Sequence, residues 1–161
     1  MKIKRKWVYI PIETKAREFL GKLLLACFLA ENGFGVVIGE REKLKRSLIW
    51  LPAGIYMEKG IGFTGEQKYL LYKKMGHKIV AFEEEGLIFN KIRREKTFCH
   101  KCFKLTDTYL AWGKNEYDFI HNITKTSMKK VKIVGNVRFD LLRPELRSIF
   151  DDEDIISTYK P

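Results

Sequence analysis

The stretch at residues 131–144, VKIVGNVRFDLLRP, decides the fold class. Val131 to Val134 is a short apolar run that is typical of a buried strand, Gly135 turns the chain, and Pro144 favours the start of a helix. Three polar side chains after the turn are candidates for contact with a ligand: Asn136, Arg138 and Asp140. An open α/β sheet offers side chains to its ligands in this way. The structural alternative is an ion pair between Arg138 and Asp140 that holds the turn.

Five further apolar runs lie upstream, and segments with helical periodicity separate them. The predicted strands are residues 6–12, 34–38, 48–51 extending to Ile55, 78–82, 108–111 and 130–134. The predicted helices are residues 15–32, 40–47, 66–75, 95–105 and 116–124. Strands that alternate with helices make right-handed βαβ units. The sequence therefore predicts an α/β domain over residues 1–150, with a Rossmann-like parallel sheet flanked by helices on both faces. The acidic run that opens residues 151–161 predicts a tail or the start of an interdomain linker.

The chain has 161 residues, the length of one domain, and a formal charge of +11 from 31 basic and 20 acidic residues. This charge favours an anionic partner such as nucleic acid, a nucleotide, an acidic glycan or a membrane face; a basic surface without a specific ligand is the alternative. The basic clusters are spread along the chain, so we expect no specific nucleic acid partner. No apolar run reaches the ~18 residues of a membrane span, and no signal peptide is evident. A cytoplasmic location is predicted, with peripheral contact to the inner membrane as an option.

Three cysteines are too few for a disulfide scaffold. Cys99 and Cys102 have the C-x-x-C spacing of a metal ligand pair or a redox pair. A structural zinc site needs four ligands, and no second pair of this kind occurs in the sequence. Packing within the fold is therefore favoured over a metal site or a redox pair, and no metal is predicted.

The loop after the first predicted strand places a carboxylate and two cations just before a helix. These residues are Glu13, Lys15 and Arg17. The free N–H groups and the dipole of a helix N-terminus attract anions, which makes the loop a candidate for substrate binding. An ordinary helix cap with solvated charges would have the same sequence.

The loop at residues 83–86, EEEG, follows another apolar strand, and its three adjacent carboxylates repel one another. Such repulsion is tolerated most readily where a carboxylate is used, as a general base or as an acceptor for a hydroxyl group. Alternation along the strand predicts that Glu83 and Glu85 share one side and that Glu84 takes the other. A solvated acidic loop is the structural alternative.

Loops that bind phosphate or activate a nucleophile are missing from the sequence. The nearest approach to a dinucleotide-binding fingerprint, at residues 60–65, has the wrong spacing and does not follow a convincing strand. No serine lies on a glycine elbow. The sequence therefore predicts no bound cofactor.

Short stretches spread over nearly the whole chain match one known family in order: IPIE at 10–13, REF at 17–19, LLLA at 23–26, NGFGVVIG at 32–39, EEEGL at 83–87, LAWG at 110–113 with Glu116 and Asp118, and GNVRFD at 135–140. Through them the chain resembles the bacterial surface carbohydrate biosynthesis proteins, whose architecture is that of GT-B glycosyltransferases. The last stretch also resembles the equivalent turn of polyglycerol-phosphate transferases. Members of the family often have proline where this chain has Val137.

The resemblance implies transfer of sugar from a nucleotide sugar to a glycan acceptor, in the synthesis of capsule, lipopolysaccharide or related surface glycans. GT-B proteins have two Rossmann-like domains, of which the first mostly binds the acceptor and the second mostly binds the nucleotide sugar. The resemblance covers only the first. It implies an acceptor-side N-terminal domain that works with a second GT-B domain or a partner chain and that is inactive alone.

On this interpretation Glu84 or Glu85 is the acceptor-side base or the anchor for a hydroxyl group. The residues assigned to substrate binding are Glu13, Lys15, Arg17, Gly86, Asn136, Arg138 and Asp140. Two alternatives stay open. One is a non-catalytic basic α/β module that binds nucleic acid or a membrane surface, and the other is a relative of the transferases that has lost its activity.

Overall fold

The computed structural model describes residues 5–62, 65–84, 91–125 and 128–146. Three of the predictions concern residues outside these ranges. The site residues Glu85 and Gly86, and the tail or linker at residues 151–161, lie outside the described residues.

Six strands in the described part of the chain form one parallel sheet. They are β1 (Trp7–Ile12), β2 (Gly35–Glu40), β3 (Ile55–Lys59), β4 (Lys78–Phe82), β5 (Thr108–Ala111) and β6 (Val131–Ile133). Their order across the sheet is β2-β1-β3-β4-β5-β6, and every neighbouring pair is parallel. The prediction of a strand at 48–51 is wrong: that segment is a turn. Pro52 and Gly54 are poor strand residues, and the strand begins only at Ile55.

The helices alternate with the strands, as predicted. They are α1 (Lys15–Glu31), α2 (Arg41–Ser47), α3 (Glu66–Lys74), α4 (Lys91–Thr97), α5 (His100–Leu105), α6 (Lys114–Thr124) and α7 (Val137–Asp140). The single helix predicted at 95–105 is two helices, because Cys99 is extended and caps α5. The last helix begins earlier than predicted. Gly135 turns the chain with φ +79°, Asn136 caps α7, and Pro144 opens a 3-10 turn at residues 144–146, where the described part ends.

Helices cover both faces of the sheet, as predicted. On one face Tyr9, Tyr56 and Tyr109, all at most 1% exposed, pack in a core cluster with residues of α2, α3, α5 and α6. On the other face Val8 and Ile10 pack beneath α1, and α7 packs on α1 in turn. Alternate residues of one strand thus enter two apolar layers, and each buried large side chain contributes about 1.5–3 kcal/mol.

The strand order reverses at β1, because β2 lies on one side of β1 and β3 lies on the other. This position is the topological switch point of the sheet. β1 pairs with β2 along its whole length but with β3 only at Val8 and Tyr9. Further along β1, Pro11 has no N–H to donate, and its carbonyl oxygen accepts from Lys22 of α1. The carboxyl ends of β1 and β3 therefore lie at the topological switch point, where open α/β sheets have the crevice in which they bind ligands.

Candidate functional site at the carboxyl edge of the sheet

A connected set of ion pairs, here called the switch-point network, borders the crevice between β1 and β3. Its members are Arg41, Glu13, Lys59, Arg17, Glu18, Lys22 and Glu84. At its outer end, Arg41 Nη1 lies 3.0 Å from Glu13 Oε1, and Lys59 Nζ lies 2.7 Å from Glu13 Oε2. The side chain of Glu13 is 43% exposed. This end of the network is therefore accessible to a ligand.

Lys22 is the buried centre of the network. Its Nζ lies 2.9 Å from Glu18 Oε2, 2.5 Å from Glu84 Oε1 and 2.7 Å from the carbonyl oxygen of Pro11. An ammonium group has three N–H donors, so these three acceptors satisfy it completely. Glu18 and Lys22 are four residues apart on α1 and lie on the same face of the helix. Buried charges persist in proteins when they are paired and hydrogen-bonded in this way.

Glu18 is the fixed negative charge of the network. Its side chain is 1% exposed, and burial alone would raise its pKa. Against this, the backbone N–H of Glu13 donates to Oε2 at 3.0 Å, and Lys22 and Arg17 add charge-assisted hydrogen bonds. Together these contacts lower the pKa of Glu18 to about 2. Glu18 is therefore ionised at neutral pH and unsuited to exchange a proton there.

Glu84 is the member of the network that is suited to exchange a proton. It is 6% exposed, and burial raises the pKa of its carboxyl group, an effect that Lys22 opposes. Oε2 of Glu84 is buried and has no hydrogen-bond partner among the described residues. Glu84 borders a cavity of about 10 Å³ that Met57 and Val137 also line. Such a cavity has room for about one water molecule.

Glu83 points to the opposite side of β4 and joins a second set of contacts. Its carboxylate pairs with Arg94 of α4. Arg94 Nη2 lies 2.6 Å from Glu116 Oε1, which also accepts from the hydroxyl of Tyr109 at 2.6 Å. Glu116 Oε2 accepts from the backbone N–H of Trp112 at 2.8 Å. This second set ties α4 and α6 to the ends of β4 and β5, so its role is structural.

The turn after β6 lies against α1. Asn136 Oδ1 accepts from the backbone N–H of Arg138 at 2.9 Å, and the buried Nδ2 has no partner within the described structure. A Cβ at Gly21 would lie 3.3 Å from the backbone of Arg138, so α7 lies close to α1 at this point, and a side chain at residue 21 would need a small shift of Arg138. Asp140 pairs with Arg143 at 2.7 Å. Arg138 and Asp140 form no ion pair in the described structure, so the structural alternative of such a pair is wrong.

The structure brings some of the predicted site residues together and separates others. Glu13, Arg17 and Glu84 belong to the switch-point network. Lys15 does not join it, because its Nζ lies 5.8 Å from the ring centroid of Phe19 on the exposed side of α1.

Sequence reasoning missed three cations of the network: Arg41, Lys59 and Lys22. Lys22 carries the clearest signal, because it interrupts an apolar run four residues after a glutamate and so marks a buried helical ion pair. Arg41 and Lys59 carry no such signal. They reach Glu13 only because the sheet places β2 and β3 on either side of β1.

The two cysteines of the C-x-x-C motif are free and buried. Cys99 Sγ accepts from the backbone N–H of Cys102 at 3.2 Å, and burial raises the pKa of the Cys102 thiol to about 12. Both thiols pack in the core. Over the described ranges, no group of three or more His, Cys, Asp or Glu residues is arranged to hold a metal ion.

No protein-family model matches the chain, and no curated protein or solved structure is significantly similar to it. None of the helices in the described part is long and apolar enough to cross a membrane.

Proposed function

We propose that the chain is the acceptor-side, N-terminal domain of a GT-B-type glycosyltransferase that builds bacterial surface polysaccharide. The observation that carries the proposal is the placement of Glu84, a buried carboxylate at the end of β4 that shares Lys22 with the network bordering the crevice. Ligands of open α/β sheets bind at this position. The ordered resemblance of the sequence to surface carbohydrate biosynthesis proteins supports the same assignment.

Glu84 accepts the proton of the attacking hydroxyl group in this proposal. That proton has to leave as the hydroxyl oxygen bonds to the sugar of the donor. Because burial raises the pKa of Glu84, its carboxylate is a stronger base than a solvated glutamate. A general base acts directly or through one water molecule, and the cavity beside Glu84 has room for about one. Glu85, the other catalytic candidate, stays a prediction.

The exposed end of the network is proposed to bind the polar groups of the substrates. The carboxylate of Glu13 accepts hydrogen bonds from sugar hydroxyls. The guanidinium groups of Arg17 and Arg41, with side chains 37% and 30% exposed, suit the phosphates of a nucleotide sugar or the carboxylates of an acidic glycan. A second GT-B domain or a partner chain supplies the rest of the donor site.

Sugar transfer by the enzyme that contains this domain tests the role of Glu84. Glu84→Gln keeps the volume of the side chain, removes the base and should lower turnover by about 10²–10⁴-fold. Glu95→Gln is the matched control, because Glu95 is a 50% exposed carboxylate on α4 outside the network. Turnover that is the same in both variants and in the wild-type enzyme would remove Glu84 from the mechanism.

A non-catalytic module for an anionic partner is the second candidate, and the net charge of +11 favours it. Binding to nucleic acid through six to ten phosphates weakens by about 10³–10⁵-fold between 50 and 200 mM salt. Binding of a glycan in the crevice depends on the sugar and responds less to salt. Titration of the chain with oligosaccharides and with duplex DNA at both salt concentrations separates the two. Binding to DNA alone, unchanged by Glu13→Gln, would favour the module.

A further inference from the structure

The amino-terminal edge of the sheet, opposite the candidate site, is formed by loops that lie against one another. The N–H of Gly54, before β3, donates to His77 Nδ1, before β4, at 3.2 Å. A Cβ at Gly54 would lie 2.6 Å from the carbonyl oxygen of Trp7, at the start of β1. The N–H of Asp107, before β5, donates to the carbonyl of Ile79 at 2.9 Å. These loops therefore make one continuous surface, here called the amino rim.

Basic residues dominate the amino rim. Several are exposed and form no ion pair within the described structure: Arg5, Lys6, Arg46, Lys74, Lys78 and Lys104. The acidic residues of the same described loops are Glu31 and Asp107, and Asp107 is already paired with Lys73 at 2.5 Å. Six cations without an ion pair against the single carboxylate of Glu31 therefore make the described part of the rim positive.

Two large apolar side chains project from the rim just after α2. Trp50 is 84% exposed and Ile49 is 60% exposed. The preceding residue, Leu48, is 1% exposed and belongs to the core, so the turn is anchored while its next two side chains face solvent. An indole beside an aliphatic side chain, surrounded by cations, is an exposed apolar patch of the kind that marks an interaction site.

We propose that the amino rim docks the chain on an anionic lipid bilayer. Trp50 and Ile49 enter the interface at the level of the headgroups, where the amphipathic indole ring is most favourable, and the lysines and arginines face the lipid phosphates. The cations come from several separate loops. That arrangement fits a broad surface better than nucleic acid, whose binders concentrate their charge on one element. The proposal is independent of the reaction proposed above, because loss of sugar transfer in Glu84→Gln leaves the amino rim unchanged.

Sedimentation with lipid vesicles tests the proposal. The chain should bind vesicles of phosphatidylcholine mixed with phosphatidylglycerol, should not bind phosphatidylcholine alone, and should bind less in high salt. Each cation near an anionic surface changes affinity about fivefold, so Lys74→Glu combined with Lys78→Glu should lower it by about 25-fold or more. Trp50→Ala should lower it at least about fivefold and abolish the blue shift of tryptophan emission on binding.

Matched controls come from outside the amino rim. Ile92→Ala removes a 68% exposed apolar side chain from α4, and Lys15→Glu with Lys114→Glu reverses two exposed charges near the carboxyl edge. Both controls should bind vesicles as the wild-type chain does. Three results would overturn the proposal: equal binding to neutral vesicles, an equal loss of binding in the controls, or tight binding to duplex DNA without binding to vesicles.

Discussion

The charged side chains at the two edges of the sheet differ in burial and in pairing. At the carboxyl edge Glu18, Lys22 and Glu84 are buried, and each pairs with an opposite charge within hydrogen-bond distance. At the amino edge, cations such as Lys74 and Lys78 are exposed and have no ion pair in the described structure. The switch-point network sets four cations against three carboxylates, whereas six exposed cations of the described amino rim form no ion pair. Within the described structure, the amino rim therefore presents more unpaired positive charge to a partner than the switch-point network does.

Burial explains why the two edges should respond differently to substitution. Removing one partner of a buried ion pair leaves an uncompensated charge and costs about 3–5 kcal/mol, whereas an exposed ion pair contributes about 0–1 kcal/mol. We therefore expect stability to depend on the carboxyl edge and association with anions to depend on the amino edge.

Lys22→Met should have the largest effect on stability. Among the described residues, Lys22 is the cation that pairs with both Glu18 and Glu84, and without it the free energy of unfolding should fall by about 3–5 kcal/mol. Urea denaturation at pH 7 measures this. Lys15→Met, at an exposed position on the same helix, should stay within about 0.5 kcal/mol of the wild-type chain. Similar losses in both variants would contradict a special role for the buried network.

Glu116→Gln should have the next largest effect, on the other face of the sheet. The variant keeps the hydrogen-bonding shape but removes a charge that faces Arg94, and it should lower the free energy of unfolding by about 1.5–3 kcal/mol. The same denaturation experiment with Glu95→Gln, an exposed carboxylate on α4, provides the comparison. An unchanged midpoint for Glu116→Gln would mean that Glu83 alone satisfies Arg94.

The pH dependence of stability should distinguish Glu84 from Glu18. Burial raises the pKa of Glu84 above 4.5, so its contribution to stability is full below pH 4.5 and is lost as the pH rises through the raised pKa. Glutamine does not titrate, so Glu84→Gln does not undergo this pH-dependent loss. The free energy of unfolding of the variant should therefore rise relative to that of the wild-type chain from pH 4.5 to pH 7. The pKa of Glu18 is lowered to about 2, so its contribution is present above pH 4.5 and is lost as the pH falls toward 2.

The loss of stability of Glu18→Gln relative to the wild-type chain should therefore increase as the pH rises from about 2 to 4.5. Urea denaturation from pH 2 to pH 7 measures both slopes, that of Glu18→Gln below pH 4.5 and that of Glu84→Gln above it. Slopes of the same sign in the two variants would contradict the different environments of the two carboxylates.

Reversing a charge on the amino rim should have the smallest effect on stability. Lys74→Glu and Lys78→Glu alter exposed side chains without partners in the described structure, and each should change the free energy of unfolding by no more than about 0.5 kcal/mol. Thermal or urea unfolding measures the change. A loss well above that value would show that these lysines are held by contacts within the fold.

Much of the fold could be predicted from the sequence, because its strands are compact apolar runs between glycines and charged residues. The predictions at 78–82 and 108–111 match β4 and β5 to the residue. The strand predicted at 48–51 is wrong, because apolar residues in this run do not share a strand environment. Leu48 is buried and anchors a turn, whereas Trp50 is exposed. The position of β3 beside β1 depends on contacts distant in sequence, and no local pattern indicates it.

The candidate site could be predicted less completely. Alternation along β4 correctly separates Glu83 from Glu84. The expected pair of Arg138 with Asp140 failed because the turn is helical: residues two apart on a helix point in different directions, and Asp140 meets Arg143 three residues on. The spacing of Glu18 and Lys22 indicates a helical ion pair, but the contacts of Lys22 with Glu84 and with the carbonyl of Pro11 depend on the packing of α1 on the sheet.

The opposed directions of Glu83 and Glu84 have a mechanical consequence. A single peptide unit joins the two residues, and each carboxylate grips a different helical layer, one through Arg94 and the other through Lys22. The end of β4 is therefore anchored to both helical layers through adjacent residues, so a substitution that shifts its backbone should disturb contacts on both faces of the sheet.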